Sequence, residues 1–498
     1  MKKFFLVLFL SSLIFSCAKE DKMAQNKALY DQKCAACHII PSIDVLPKRL
    51  WDEKLLPEVA AKMGILEPGY SPLEGMDYEE RKAVIESGVY GSVQIVTPEE
   101  WAQLRAYILE MAPDSLVPTP RESHDFHPLE NFEVQKVSLD DYPGTYISYL
   151  SLKEDGLYFA DLSGGFYQYN HREKEVSEYR RFDKPVVWYE QLQDGKEVYT
   201  EIGKLDPSEQ VLGKLWELDQ NGDRRAVHES LHRPVNSLTT DLNGDGQNEY
   251  VVAEFGHLTG SISIIDSDGS KKMLWPKPGA TQIEPYDLNG DGLMDLVCLV
   301  AQGDEAILGL IQDEDGNFRP EYLLRFPPIY GTSWFEMLDF DGDGDLDLLT
   351  VHGDNADRTY IQKPYHGMRI SLNDGLGNFE EAFFYQLNGA TRISAADFDE
   401  DKDIDIALIS TFPDYDNLPE RAFIYLENQG GFNFKEQIIK EVNLGRWFLM
   451  DKGDIDQDGD IDLMISSFSY VFSPVPPEFQ QGWQESGVDM LVLENKLR

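Results

Sequence analysis

The sequence of 498 residues predicts a multidomain protein in which a small all-α domain precedes a larger all-β domain, a seven-bladed propeller. Three observations support this fold class. The chain is longer than one hydrophobic core usually supports, and apolar residues before residue 113 follow helical spacing. After residue 240 an acidic nine-residue pattern recurs five times, each time before a short strand-like segment.

Residues 1–16 have the features of a signal peptide. Lys2 and Lys3 precede an apolar stretch from Phe4 to Phe15. At about twelve residues this stretch is too short to span a bilayer as a helix. The sequence therefore predicts an exported protein.

Cys17 follows the apolar stretch directly, and the segment IFSC resembles the lipobox of bacterial lipoproteins. The next residues, AKED, resemble the sorting tag of lipoproteins on the outer face of the outer membrane. The resemblance implies a lipid on Cys17, a tether over residues 17–26, and an outer-membrane lipoprotein that faces either the cell surface or the periplasm.

The net charge of −45, from 89 acidic and 44 basic residues, limits the partners. It disfavours nucleic acid and anionic lipid surfaces as ligands. We therefore expect no nucleic-acid partner and membrane contact through the lipid anchor only. The carboxylates are either spread over a solvated surface or partly neutralised by bound cations.

The segment CAACH, residues 34–38, could hold zinc, act as a thiol switch or attach haem. A structural zinc site needs four ligands, and no second pair of cysteines exists. Cys298 lies in the apolar run LVCLV, where a buried thiol is expected. A thioredoxin-like motif would open a helix after a strand, whereas LYDQKCAACH predicts a helix that ends at the motif. In an exported chain, covalent c-type haem is the remaining interpretation.

Residues 27–113 predict several short helices and resemble class I cytochromes c. The last helix begins with Thr97 as N-cap and Pro98 at its first position. Its residues Trp101, Leu104, Ile108 and Met111 follow helical spacing, with Tyr107 alongside. The resemblance implies one haem c that is attached through Cys34 and Cys37, with His38 as the proximal iron ligand.

The second iron ligand has two candidates in the sequence. Small cytochromes c often supply a methionine just before the last helix, but that loop here is GVYGSVQIV. Met63 is the first candidate, since it stands beside Gly64 at the end of an apolar helix, and Met76 is the second. If neither binds, the iron has an open or histidine-bound sixth position.

The five acidic nonamers begin at residues 241, 287, 339, 397 and 454, so successive copies are 46 to 58 residues apart. This spacing is typical of propeller blades. Oxygen-bearing side chains at positions 1, 3, 5 and 9, with a carbonyl at position 7 and a glycine at position 6, can surround one Ca²⁺ ion. Position 12 is never the glutamate that an EF-hand requires, and each loop precedes a strand instead of a helix.

The loop-and-strand unit resembles FG-GAP/VCBS repeats, the blades of integrin-like β-propellers, over residues 132–498. The resemblance implies Ca²⁺ in the loops, four or five ions in all, and the count depends on the fourth loop, where Lys402 replaces glycine. The implied ligands are Asp241, Asn243, Asp245, Glu249, Asp287, Asn289, Asp291, Asp295, Asp339, Asp341, Asp343, Asp347, Asp397, Asp399, Asp401, Asp405, Asp454, Asp456, Asp458 and Asp462.

Seven blades require two more than the five that carry acidic loops. Residues 144–236 contain strand-like runs that are sufficient for two blades without metal, and FEVQKVSL near residue 132 can add an outer strand to the last blade. Residues 114–131 contain several prolines and predict a semi-rigid linker between the two domains.

This architecture indicates a lipid-anchored, exported c-type cytochrome for electron transfer, with a propeller that docks a redox partner or an extracellular ligand. It favours an electron carrier or binding protein over an enzyme. Two alternatives stay open: a propeller oxidoreductase that passes substrate electrons to the fused haem, and a surface binding protein or adhesin.

Overall fold

The computed structural model describes residues 22–91, 93–117, 126–139, 145–356, 359–470 and 472–497. The predicted signal peptide and Cys17 lie outside these residues, as do parts of the predicted tether and linker. The chain forms two compact units, of which the first ends at residue 118 and the second holds nearly all of the remaining chain. Among the described residues, no helix is long and apolar enough to cross a membrane.

The N-terminal unit is helical. Helix α1 covers residues 22–34, and a short 3-10 turn follows at Ile43–Val45. The remaining helices are α2 (Lys48–Leu50), which continues through a π-helical turn (Trp51–Leu55) into α3 (Leu56–Lys62), then α4 (Tyr78–Ser87) and α5 (Pro98–Met111).

Helix α5 begins as the sequence predicts. Thr97 accepts a hydrogen bond from the backbone N–H of Glu100, whose side chain accepts from the Thr97 N–H, and this capping box satisfies two free donors. Its apolar face is buried at Trp101, Leu104, Tyr107 and Ile108. Met111, which the spacing places on the same face, is 45% exposed because it lies in the last turn.

The second unit is a seven-bladed β-propeller, as the sequence predicts. Its blades are four-stranded antiparallel sheets, and each of the first six is formed by consecutive strands. Blade 1 contains β3 (Ile147–Lys153), β4 (Gly156–Asp161), β5 (Gly165–Asn170) and β6 (Glu175–Arg181); blade 2 contains β7 (Val186–Gln191), β8 (Glu197–Glu201), β9 (Gly213–Leu218) and β10 (Arg224–Leu231).

The next four blades follow the same order. Blade 3 contains β11 (Pro234–Thr240), β12 (Glu249–Glu254), β13 (Ser261–Ile265) and β14 (Lys271–Trp275); blade 4 contains β15 (Ala280–Tyr286), β16 (Asp295–Val300), β17 (Ala306–Gln312) and β18 (Phe318–Arg325); blade 5 contains β19 (Thr332–Leu338), β20 (Asp347–His352), β21 (Gly367–Asn373) and β22 (Phe379–Gln386); blade 6 contains β23 (Ala390–Ala396), β24 (Asp405–Ser410), β25 (Phe423–Asn428) and β26 (Phe434–Ile438).

Blade 7 closes the ring. It contains β27 (Trp447–Gly453), β28 (Asp462–Ser467) and β29 (Met490–Asn495), and its outer strand is β2 (Phe132–Val137) from the start of the unit, as the sequence predicts. Strand β2 pairs antiparallel with β29 from Phe132 opposite Asn495 to Val137 opposite Met490. The ring is therefore held by pairing between its two chain ends.

Three features were not expected from the sequence. The two-residue strand β1 (His127–Pro128), in the predicted linker, pairs parallel with β26 at the edge of blade 6. Helix α6 (Pro477–Ser486) stands between β28 and β29, and short 3-10 turns lie at Pro419–Ala422 and Val442–Leu444. The second unit is therefore not purely β.

The core lies between the blades. The second strands after the acidic loops are buried along their whole length, which explains their near-continuous apolar sequences. Cys298 in β16 is fully buried, as predicted. Each of the seven first strands has a register shift just after its first residue, so the same bulge recurs in every described blade.

Carboxylates on the first strands connect neighbouring blades. Glu190 accepts a hydrogen bond from the Thr239 N–H at 2.7 Å, and Glu336 accepts from the Ala395 N–H at 3.1 Å. Asp451 of blade 7 accepts from the N–H of Leu152 in blade 1 at 2.7 Å. Half-buried carboxylates therefore accept hydrogen bonds from backbone donors across the blade boundaries.

Candidate functional site

The CAACH segment stands at the end of α1. Cys34 is the last helical residue and is partly buried, whereas Cys37 lies in the following turn and is exposed. Burial and the neighbouring Cys37 raise the pKa of the Cys34 thiol to about 11. Both sulfurs are free thiols, so the pair is available for attachment chemistry.

His38 adopts a defined side-chain contact. Its Nδ1 lies 2.7 Å from the carbonyl oxygen of Ile39, so Nδ1 carries the proton and donates it to that oxygen. Nε2 then keeps its lone pair. A hydrogen bond that fixes the tautomer in this way is the usual support for a metal-binding histidine.

Met63 is tied to the segment that precedes α5. Its carbonyl oxygen accepts a hydrogen bond from the Ile95 N–H at 3.0 Å. Gly64 has φ of 83°, and a Cβ there would lie 2.7 Å from the Val93 carbonyl oxygen, so only glycine permits this approach. Met76 lies in the loop before α4, and both methionine side chains are half-buried.

Apolar side chains are uncovered in the same unit. Leu66, Ile85, Val93 and Ile95 are 70, 62, 78 and 51% exposed. Exposed apolar side chains of this kind are available to contact a large apolar group. The donor set and the uncovered surface are both compatible with haem.

The first carboxylate of each acidic loop is held by the loop backbone. Asp241 accepts from the N–H groups of Gly244, Asp245 and Gly246 at 2.8, 3.1 and 2.9 Å. The bond from the sixth residue recurs, at 3.0 to 3.1 Å, in the other loops at Asp287, Asp339, Asp397 and Asp454. The sequence therefore folds all five nonamers into the same turn.

Positions 3 and 5 repeat a second pattern. The side-chain oxygen at position 3 accepts from the N–H of position 5, and that at position 5 accepts from the N–H of position 7, in every loop. The residues concerned are Asn243, Asp245, Asn289, Asp291, Asp341, Asp343, Asp399, Asp401, Asp456 and Asp458.

Position 9 has a structural role that the sequence did not reveal. It is the first residue of the second strand and is buried in each case, namely Glu249, Asp295, Asp347, Asp405 and Asp462. Asp347 accepts from the Phe340 N–H within the loop at 2.9 Å and from the Asn373 N–H at the end of β21 at 2.8 Å. Such a carboxylate joins the loop to the third strand.

Burial raises the pKa of every position 9 carboxyl group. The value reaches about 7 for Asp405 and about 6 for Asp462, and nearby loop carboxylates add to the effect. The pKa values of Glu249, Asp295 and Asp347 are raised for the same reasons. Ionisation of these buried and crowded carboxyl groups therefore costs free energy that a bound cation would offset.

The loops differ in which oxygens converge. Positions 1, 3 and 9 lie within 4.8 Å of one another in the third and fifth loops, and positions 1, 3 and 5 do so in the fourth. In the first loop Asn243 Nδ2 donates to Glu249 Oε1 at 3.0 Å, and in the second Asn289 Nδ2 donates to Asp291 Oδ2 at 2.9 Å. In these two loops the amide nitrogen of the asparagine side chain, and not its oxygen, lies against the carboxylate.

The fourth loop folds like the others despite Lys402, which adopts φ of 82°. Two buried oxygens in this loop, Asp397 Oδ1 and Asp403 Oδ1, have no hydrogen-bond partner among the described residues. Burial and the adjacent Asp401 raise the pKa of Asp403 to about 6. The sequence pattern assigned only a backbone carbonyl to position 7, so the Asp403 side chain was not predicted.

The residue at position 4 of each loop also has a left-handed backbone conformation, which the sequence pattern did not predict. The residues are Gly244, Gly290, Gly342, Glu400 and Gln457, with φ between 60° and 77°. The glycine at position 4 in three of the five loops was the sequence signal that could have predicted this conformation.

A polar groove of about 1330 Å³ lies where blades 1, 2 and 3 meet. Lys153, Glu190, Lys196, Arg225 and Tyr250 are among the residues that line it. Because it is bordered by the turns after the first strands, it opens at the same end of the blades as the acidic loops. Burial raises the pKa of Glu190 to about 7.

Comparison with protein-family models supports the prediction that the acidic loops belong to FG-GAP-like repeats. A family model described as FG-GAP-like repeat matches residues 241–298 and 287–350, which begin at the first two acidic loops. No curated protein shows significant sequence similarity to the chain.

The search of solved structures found matches of low identity and low TM-score. The N-terminal domain of Nup159 is 12% identical, with 74% of this chain and 96% of that one covered and a TM-score of 0.39. A protein from Lactobacillus plantarum is 12% identical, with 59% and 85% covered and a TM-score of 0.38. A luciferin-regenerating enzyme is 13% identical, with 62% and 100% covered and a TM-score of 0.37.

The chain is thus a seven-bladed β-propeller protein with an N-terminal helical unit. Its propeller contains FG-GAP-like repeats, which suggests a binding or surface role.

Proposed function

We propose that this protein is an exported, lipid-anchored c-type cytochrome for electron transfer, whose calcium-binding propeller docks a redox partner or an extracellular ligand. The observation that carries the proposal is the hydrogen bond from His38 Nδ1 to the Ile39 carbonyl oxygen, beside the free thiols of Cys34 at the end of α1 and Cys37 in the following turn. It keeps Nε2 available for iron.

Five residues of the helical unit have a part in this proposal. Cys34 and Cys37 would hold the haem covalently, and His38 together with Met63 or Met76 would bind its iron. The haem supplies the one-electron chemistry. Met63 is the preferred ligand because its backbone is fixed against the segment before α5.

Covalent attachment is tested by the intact mass of the full-length chain produced with a haem-attachment system. Wild type is expected to carry the mass of one haem, and Cys34→Ala with Cys37→Ala to carry none. Cys298→Ala is the matched control, because that thiol is buried in the propeller core and should leave the haem in place. Unmodified mass in the wild type would contradict the proposal.

The propeller is proposed to bind four or five Ca²⁺ ions in its acidic loops. The converging carboxylates of the third, fourth and fifth loops support this, since hard cations prefer such oxygen ligands. Lipid on Cys17 would anchor the chain in the outer membrane. The net charge of −45 is consistent with no nucleic-acid partner.

A surface binding protein is the second candidate, and the groove at blades 1 to 3 favours it. The groove combines cationic and acidic side chains with a tyrosine, a composition suited to a polar, hydrogen-bonding ligand. Ligand binding that persists in the Cys34→Ala, Cys37→Ala variant would identify a binding function independent of haem. Loss of electron-transfer activity in that variant would favour the electron carrier.

A further inference from the structure

A mixed histidine and carboxylate cluster lies at the boundary between the last and first blades. His171 follows β5 in blade 1, Asp456 is position 3 of the fifth acidic loop, and Glu494 lies on β29. One ligand atom from each lies within 4.8 Å of those of the other two. Residues distant in the sequence thus meet where the ring closes.

The histidine is poorly satisfied where it stands. Its side chain is only 10% exposed, and Nε2 lies 3.2 Å from Glu494 Oε2. In a neutral imidazole one ring nitrogen carries the proton and the other is an acceptor with a free lone pair. Nδ1 is buried and has no hydrogen-bond partner among the described residues.

A second acceptor beside the cluster is also unsatisfied. Gln135 on β2 donates through Nε2 to Glu494, while its buried Oε1 has no partner in the described part of the chain. Excess buried acceptors without donors cost free energy, and a bound cation relieves that cost. Two cations compete with a metal here: Lys496, whose Nζ contacts Glu494 and whose side chain is 40% exposed, and Lys174, whose charge also acts on His171.

We propose that His171, Asp456 and Glu494 bind a divalent transition metal of the Zn²⁺ or Mn²⁺ type. Imidazole nitrogen together with carboxylate oxygen suits such metals, whereas Ca²⁺ and Mg²⁺ prefer oxygen alone. Asp456 also belongs to the cluster with Asp454 and Asp462, so its carboxylate connects this site to the fifth acidic loop. The metal would fasten blade 1 to blade 7.

The test is equilibrium dialysis of the full-length chain against Zn²⁺ with excess Ca²⁺, followed by elemental analysis of bound zinc. Wild type is expected to bind one more zinc per chain than His171→Ala, with the calcium content unchanged. His228→Ala is the matched control, since His228 on β10 belongs to none of the clusters found in the described ranges, and it should bind zinc as wild type does.

Two further variants keep the test decisive. Glu494→Gln preserves size and should lose the same zinc equivalent, so a folding defect in one variant does not settle the outcome. Lys496→Met removes one competing cation and should retain or tighten zinc binding. Equal zinc content in wild type, His171→Ala and Glu494→Gln would overturn the proposal. It would also be overturned if wild type bound one more calcium ion, instead of one more zinc ion, than His171→Ala. Neither result depends on haem attachment.

Discussion

Asp347 shows how one carboxylate organises a blade. It is 1% exposed, and its two oxygens accept backbone hydrogen bonds from the acidic loop and from the end of β21. The sequence indicated the oxygen at position 9 but assigned it to metal binding alone. Hydrogen bonds between distant strands could not be predicted, because a single sequence does not show which amide will stand opposite.

Replacement of Asp347 by alanine should lower the free energy of unfolding of the metal-free propeller by about 2 to 4 kcal/mol, because the backbone N–H groups of Phe340 and Asn373 lose their acceptor. Urea unfolding with a chelator present measures this. The control Glu314→Ala alters an exposed carboxylate in the hairpin after β17 and should change stability by at most about 0.5 kcal/mol. Equal losses in the two variants would contradict the structural role.

Glu305 predicts a pH dependence. It is buried between blades 4 and 5, accepts from Thr332 N–H at 2.9 Å and Thr332 Oγ1 at 2.7 Å, and has its pKa raised by burial to about 7. The folded state therefore holds the proton more tightly than the unfolded state does. Its contribution to stability is complete below the ordinary pKa of 4.5 and is lost as the pH rises through about 7.

Glu305→Gln mimics the protonated side chain at every pH. Between about pH 4.5 and about pH 7.5, wild type should lose up to about 3 kcal/mol more stability than the variant. Urea unfolding at several pH values measures the difference, with Glu314→Gln as an exposed control. If the wild-type and Glu305→Gln curves run parallel, the raised pKa is wrong.

At the scale of elements, the repeated sequence pattern of the acidic loops predicted some features of the blades and missed others. Spacing, the alternation of oxygen-bearing residues and the following apolar strands predicted the blades and their order. The left-handed residue at position 4 was missed because Glu400 and Gln457 replace glycine there in two loops. In the CAACH segment, the end of α1 was predictable, whereas the His38 contact depends on the path of the chain after the helix.

Lys402→Gly and Gly344→Lys exchange the sixth residues of two equivalent loops. Gly344 has φ of 99°, and no atom lies within 4 Å of the point that a Cβ would occupy, so a lysine there suffers from backbone strain alone. We expect Gly344→Lys to destabilise the chain by about 1 to 2 kcal/mol and Lys402→Gly to stabilise it by up to about 1 kcal/mol. Thermal unfolding with saturating Ca²⁺ measures both, and shifts in the same direction would contradict the prediction.

At the scale of the whole molecule, the net charge and the closure of the propeller ring both bear on the compact state. The net charge of −45 opposes a compact state, and the acidic loops concentrate part of it at one end of the blades. Closure depends on β2, which the sequence predicted as an outer strand of the last blade and which pairs with β29. The cluster of His171 and Glu494 at the same boundary was not predictable, since ring closure alone brings those residues together.

Removal of divalent cations should lower the melting temperature of the propeller. A ligand present at about one hundred times its Kd stabilises the folded state by about 2.7 kcal/mol per site, so several loops together give a large shift. Calorimetry with a chelator, and then with Ca²⁺ or Mg²⁺ added back, measures it. Recovery with Ca²⁺ but not with Mg²⁺ is expected, and an unchanged melting temperature would argue against calcium in the loops.

The most direct test of the proposed cytochrome is the absorption spectrum of the full-length, haem-matured chain in its oxidised and reduced forms. We expect a c-type reduced spectrum together with the weak far-red band of methionine on ferric iron, and we expect Met63→Ala to abolish that band while Met76→Ala retains it. A chain without covalent haem would contradict the electron-transfer proposal and leave a propeller with a binding role.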